Sequence, residues 1–305
     1  MLNKKIFYRK AFAFSITMWI IASLLFATVV ILRFAKDELG LSKGLNNKLQ
    51  TQLMAESALE SLKFYVPTAD YTSTSLKNSL LLNAEYPLPS EIIVDGREYN
   101  ITKELSISLR DTSSMFNIQS LPSQFVAYVL TSKNSEDLVP ILKDSLDDWR
   151  DIDNVVRVNG AEQSSYKRIV VRDSKAIQDI HELKLIQGFD KIDIKIIKDN
   201  FYYGRGVSSN LMLIKNRRYL AHLLGTDESF IENMLELCQS EPLKFIKNLN
   251  NLPGFDAEYM GFWLSKQFLV RIKAKRERAK TYINAIISFK QLNNRPYITV
   301  SFIIN

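Results

Sequence analysis

Residues 12–32, FAFSITMWIIASLLFATVVIL, form an unbroken apolar run directly behind a short basic leader, MLNKKIFYRKA. A helix over such a run spans roughly 30 Å at 1.5 Å per residue, which matches the hydrocarbon core of a bilayer, and a helix satisfies its own backbone amides in lipid. The run therefore reads as one transmembrane helix. Lys4, Lys5, Arg9 and Lys10 place its amino end on the cytoplasmic side and the rest of the chain across the membrane.

A secretory signal peptide has an apolar region of about 7 to 15 residues ending in small residues near its cleavage site. This run is longer and closes on Arg33, Phe34, Ala35 and Lys36 with no A-x-A spacing. Helical spacing continues beyond it through Leu39, Leu45, Leu49, Leu53, Ala55, Ala58, Leu59 and Leu62. One helix is expected over 12–66, ended by Pro67 and the polar tract TADYTSTS. Its outer half is amphipathic and needs a packed partner domain to stay folded.

The chain is 46% hydrophobic and 24% charged with 10 Gly and 8 Pro, the composition of a foldable globular chain rather than a linker. A net charge of +7 invites a nucleic-acid reading, but the leader holds four basic residues and no acid, so only +3 belongs to the rest. The remaining basic cluster, RIKAKRERAK at 271–280, reads as a solvated hairpin, and no nucleic-acid partner is expected. The lone Cys238 excludes an intramolecular disulfide.

Beyond Pro67, SEIIVDGREYNITKE carries β-rich flanks around Asp95-Gly96, a hairpin signal, and LSISLR at 105–110 alternates as a further strand. These complete the first part of a sheet over 67–111. A mostly helical stretch over 112–257 contains one strand candidate, IDIKIIK at 192–198. The segment 258–305 returns to strands, with turns expected near Lys275–Arg278 and at Asn293-Asn294. The fold class is α+β, with a large helical domain inserted between strands of one small antiparallel sheet; long insertions cost little loop-closure entropy.

Inside the insertion, FNIQSLPSQFVAYVLTSKNSEDLVPILKDSL and SSNLMLIKNRRYLAHLLGTDESFIENML both show an Asn (Asn117, Asn210), an apolar helix, a polar link and a second helix. Ser135 and Thr226 or Asp227 are the N-cap candidates for the second helices. The two stretches read either as copies of one helix-turn-helix unit or as two unrelated helix pairs.

Four stretches stand out together: the leader RKA followed by FAFSITMWI, the segment Arg110 to Gln119, the acidic signature Asp147-Asp148-Trp149-Arg150-Asp151-Ile152-Asp153 with Gly160-Ala161-Glu162 and Tyr166, and the closing strand Ser265 to Ile272. With them the chain resembles the K-type minor pseudopilin of the bacterial type II secretion system. Two departures stand out: Ala11 replaces the leader's usual Gly, and the family's second Asn motif is reduced to Ser208-Ser209-Asn210-Leu211-Met212.

The resemblance implies a pilin-like fold in which residues 1–11 are a prepilin leader. Prepilin peptidase would cut between Ala11 and Phe12 and methylate the new amine of Phe12. The fifth mature residue is then Ile16, where most pilin-like subunits carry a Glu that neutralises a neighbour's amine in the membrane. K-type members lack this Glu, which marks the leading position at the filament tip. The resemblance further implies a non-enzymatic role in a tip complex with I-type and J-type minor pseudopilins that starts pseudopilus assembly. Indirect contact with the major pseudopilin and with the inner-membrane assembly platform would follow. Two other readings share this anchor: a minor pilin of a type IV pilus or competence system, and a membrane-anchored periplasmic enzyme.

The acidic signature raises a metal question. Asp147, Asp148 and Asp151 fall at the C-terminal end of a helix expected over 137–150, where the macrodipole opposes negative charge, and Asp153 and Glu162 follow in the next loop. Asp147, Asp151, Asp153 and Glu162 are candidate Ca²⁺ ligands, a cation that takes six to eight oxygens, and K-type relatives are described as calcium binders. Pairing of the acids with Arg150 or Arg157, or plain solvation, is the alternative. Catalytic signatures are missing: His181 and His222 have no zinc-ligand spacing, and G-x-S-x-G, P-loop and G-x-G-x-x-G motifs do not occur.

Overall fold

The computed structural model describes residues 2–78, 80, 87–119, 121–131, 135–167, 170–171, 177–203, 208–292 and 295–302. The side chains of 2–13, 239, 242, 243, 291, 292, 295–297 and 302 lie outside that description. Helix α1 (Leu2–Thr68) is continuous through leader, apolar run and amphipathic half. It contains a segment long and apolar enough to cross a membrane, none of it buried against the head. The helix passes the expected stop at Val66 because Pro67 sits in the last turn. There Thr68 Oγ1 donates to the Phe64 and Tyr65 carbonyls at 2.7 and 3.3 Å.

The head's main sheet is antiparallel with five strands. In order across the sheet these are β12 (Arg295–Phe302), β11 (Ala279–Leu292), β10 (Gln267–Arg276), β5 (Leu105–Asp111) and β4 (Asp95–Asn100). A second, three-stranded sheet holds β1 (Asp70–Tyr71), β2 (Ser75–Lys77) and β3 (Glu91–Ile93). Two short parallel pairs lie in the insertion, β6 (Phe116–Asn117) with β7 (Phe201–Tyr202) and β8 (Ser209–Asn210) with β9 (Met260–Gly261). Strand β5 therefore pairs with β10 across the whole helical insertion, with Phe268 opposite Asp111 and Ala274 opposite Leu105.

Asp95-Gly96 is not a hairpin turn. Strand β3 pairs with β2 and β4 with β5, so the chain steps from one sheet into the next at this point. Gly96 supplies the positive φ (88°) for the irregularity in register between Asp95 and Glu98. The reversal comes later, where Ile101 N donates to Leu105 O and Thr102 Oγ1 accepts from the Glu104 and Leu105 amides. The β10–β11 hairpin turns at Glu277, whose φ is 51°. The expected turn at Asn293-Asn294 lies outside the described residues.

The stem packs on this sheet through the small residues Ala55 and Ala58 and through Leu59, Leu62, Tyr65 and Val66. These share one buried cluster with Ile107, Leu109, Val270 and Ile272. Tyr65 Oη donates to the Leu76 and Pro89 carbonyls at 3.1 and 3.0 Å, which ties the end of α1 to the smaller sheet. Leu39, Leu45, Leu49 and Leu53 do not join that face and remain exposed. One helical stripe in the sequence thus becomes two faces in the structure.

A separate core fills the insertion, built from Val126, Leu142, Trp149, Phe189, Tyr219 and Leu220 among others. Its helices are α2 (Ser123–Leu130), α3 (Leu138–Arg150), α4 (Ile194–Asn200), α5 (Arg217–Leu224), α6 (Glu228–Ser240) and α7 (Pro242–Asn250). Helix α2 packs on α3 and α5 on α6. Asp227 caps α6 by accepting from Phe230 N at 2.8 Å, whereas α3 begins after Asp137 rather than after Ser135. The segment expected as a strand at 192–198 forms α4 instead. Asp193 accepts from Lys195 N, and this N-cap outweighs the β-branched isoleucines.

Candidate functional site

The 151–162 loop folds back on the C-terminal end of α3. Asp144 Oδ2 accepts from Asn159 N and Nδ2 at 3.2 and 3.0 Å, and Arg157 N donates to Asp148 Oδ2 at 3.2 Å. Gly160 comes so close that a Cβ there would lie 2.0 Å from Asp148 Oδ2, a contact only glycine allows. This return brings Asp148, Asp151 and Glu162 together, with a ligand oxygen of each within 4.8 Å of the others.

Glu162 is 1% exposed and Asp148 fully buried. Both Glu162 carboxylate oxygens and Asp151 Oδ1 are buried with no hydrogen-bond partner among the described residues. Burial pushes the Glu162 carboxyl above its ordinary value, and the charges of Asp148, Asp151 and Asp153 add to that rise. Arg157 Nη1 donates to Asp148 Oδ1 and Asp151 Oδ2, so one guanidinium supplies positive charge from the solvent side of the group.

Of the residues singled out in the sequence, Asp151 and Glu162 belong to this cluster. Asp147 faces Lys143 across one helical turn at 3.3 Å, and Asp153 accepts from Val155 N at the surface. Asp148, which stands outside the expected ligand set, takes the place of Asp147 in the cluster. Successive helical residues point about 100° apart, so only one of two adjacent acids can face the loop, and Gly160 was the available hint as to which.

The other signature residues are structural. Trp149 enters the insertion core, donates from Nε1 to Glu182 Oε1 at 2.9 Å, and meets Tyr166 edge-on at 5.5 Å between ring centroids. Arg150 donates from Nη2 to Ile118 O at 2.6 Å, which fastens α3 to the Asn117-containing segment. Asn210, the remnant of the second Asn motif, is fully buried and donates from Nδ2 to Ser73 O at 2.8 Å, linking the insertion to the smaller sheet.

At the other end of the molecule Ala11 and Phe12 lie within α1, with their side chains outside the described residues. Ile16 is 44% exposed on the stem, beside the exposed Trp19, Ile20 and Leu24. His181 Nδ1 lies 2.6 Å from Asp179 Oδ1, and His222 stacks on Tyr128 at 4.3 Å; neither joins the acidic cluster. Cys238 is partly buried, and burial pushes its thiol up, away from the reactive thiolate.

No protein-family model matches the chain, and no curated protein matches it. Among solved structures it is similar to a chain of the GspK-GspI-GspJ complex from the enterotoxigenic Escherichia coli type 2 secretion system. Identity is 14%, the TM-score is 0.49, and the match covers 89% of this chain and 99% of that one.

Proposed function

We propose that this chain is a processed, single-pass minor pseudopilin of the K type, acting as a structural component at the tip of a type II secretion pseudopilus. The observation that carries this reading is the stem. One continuous helix has a lipid-length apolar half with no acid in its first turns, and its second half is packed on a small antiparallel sheet. The leader stays cytoplasmic, prepilin peptidase cuts after Ala11, and the head lies on the periplasmic side of the inner membrane.

The inserted helical module supports the terminal placement, because a bulky addition to the head obstructs stacking along a shaft and is tolerated at an end. The exposed ridge Leu45, Leu49 and Leu53 lies away from the head and is the surface offered to neighbouring stems, with I-type and J-type minor pseudopilins as the partners. Asp148, Asp151 and Glu162 would hold Ca²⁺. All are hard carboxylate donors, and the oxygens of Glu162 and Asp151 that lack a partner among the described residues are the ones such an ion would satisfy. The ion would supply charge neutralisation that fixes the 151–162 loop to α3.

Co-expression with I-type and J-type partners tests the assembly. The chain should co-purify with them in detergent, and Leu49→Glu should weaken that association. A chain that purifies alone beside both partners overturns the reading.

A further inference from the structure

The face of the five-stranded sheet turned away from α1 carries Ser108 and Arg110 on β5 and Leu269 and Arg271 on β10. Leu269 lies opposite Arg110, and Arg271 opposite Ser108. The end of α4 and the segment leading into α5 stand over this face and enclose a cavity of about 410 Å³. Arg110, Arg271, Lys198 and Lys215 line it, together with Asp95 and Asp199.

The charges in this cavity do not balance. Asp95 is already held by Arg97, whose Nε and Nη2 donate to its two oxygens at 3.1 and 2.9 Å. None of the four cations makes an ion pair with a carboxylate among the described residues, and Asp199 is the one acid left to face them. Arg110 is partly buried and donates from Nε to Ser114 Oγ at 3.0 Å, which leaves its two Nη groups without a protein acceptor among the described residues. Burial holds the guanidinium below its ordinary value, with Asp199 opposing.

A desolvated guanidinium with an idle fork is costly unless an oxyanion meets it, and the planar fork suits a two-oxygen acceptor. Cations contributed by strands, a helix end and a connecting segment converge in a concave site, which concentrates their field. The volume is within the range of small-ligand pockets.

We propose that this cavity binds a doubly charged oxyanion. Arg110 is its two-pronged donor, and Arg271, Lys198 and Lys215 complete the charge. The chemistry is that of a phosphate group or of two adjacent carboxylates, supplied either by a free small anion or by an acidic stretch of polypeptide. The site is separate from the acidic cluster and does not depend on the pseudopilin reading.

Calorimetric titration of the full chain in detergent micelles, at constant ionic strength, tests the site with inorganic phosphate and separately with a tetra-aspartate peptide. One of the two should bind with 1:1 stoichiometry and a dissociation constant below about 1 mM. Phosphate binding identifies a free-anion site, and binding of the peptide alone identifies a polypeptide site. Arg271→Ala, at an exposed position, should weaken binding at least about tenfold, and Arg110→Lys, which keeps the charge but loses the fork, should do the same. Lys273→Ala, on the same sheet face but outside the cavity, should change it less than about twofold. The proposal is overturned if neither probe binds, or if Lys273→Ala weakens binding as much as Arg271→Ala does.

Discussion

Ser265 donates from its backbone N–H and its hydroxyl to the two carboxylate oxygens of Asp111, at 2.9 and 2.6 Å, across 154 positions of sequence. The same carboxylate accepts from Ser113 N at 2.7 Å, and Thr112 Oγ1 donates to Gln267 O at 3.1 Å. This clasp closes the neck through which the helical module leaves and rejoins the sheet. Asp111→Ala would strand the buried amide of Ser113 and the half-buried amide of Ser265, and a loss of about 3 kcal/mol is expected. Thermal unfolding of the variant checks it, and an unchanged midpoint would show that the neck is held by other contacts.

Glu162 gives the acidic cluster a signed pH dependence. Its carboxyl is raised in the folded state by burial first and by Asp148, Asp151 and Asp153 second. Without a cation, the stability it contributes is full below the ordinary carboxylate range and is lost as pH rises through the elevated value. In chelator, Glu162→Gln should therefore be more stable than the parent at neutral pH and should flatten the pH profile. Added Ca²⁺ should stabilise the parent and not the variant. Midpoints followed from pH 4 to 8 with and without chelator decide the matter, and identical profiles for both chains would remove the cluster from the account.

The two faces of the stem should separate stability from assembly. Leu62 is fully buried against the sheet, and Leu62→Ala should cost about 2 to 5 kcal/mol. Leu49 is 54% exposed, so Leu49→Glu should change stability by no more than about 0.5 kcal/mol. Urea unfolding of both variants tests the division; comparable destabilisation would mean that the outward ridge is packed after all.

Long-range order was legible where a periodic signal extends over many residues. Helix α1 follows from an apolar run continued at helical spacing, and β5 follows from the alternation of LSISLR. Local signals failed where tertiary pairing decides. Asp95-Gly96 has hairpin chemistry, yet its flanking strands find partners in different sheets, and IDIKIIK alternates like a strand until the Asp193 cap starts a helix. Spacing alone could not divide the stem's leucines, because which ridge faces the sheet depends on where Ala55 and Ala58 allow close approach. At the acidic cluster, the types of the ligands were readable, but the choice between Asp147 and Asp148 required the path of the returning loop.

A stem that begins a filament subunit has lost its leader in the mature protein, and intact-mass and amino-terminal peptide analysis of the protein from its native membrane reads that loss at a single residue. The expected mature chain begins at N-methylated Phe12, with Ile16 in fifth place. A chain that keeps Met1 and the leader residues through Ala11 would rule out the filament role and leave the stem as a plain membrane anchor.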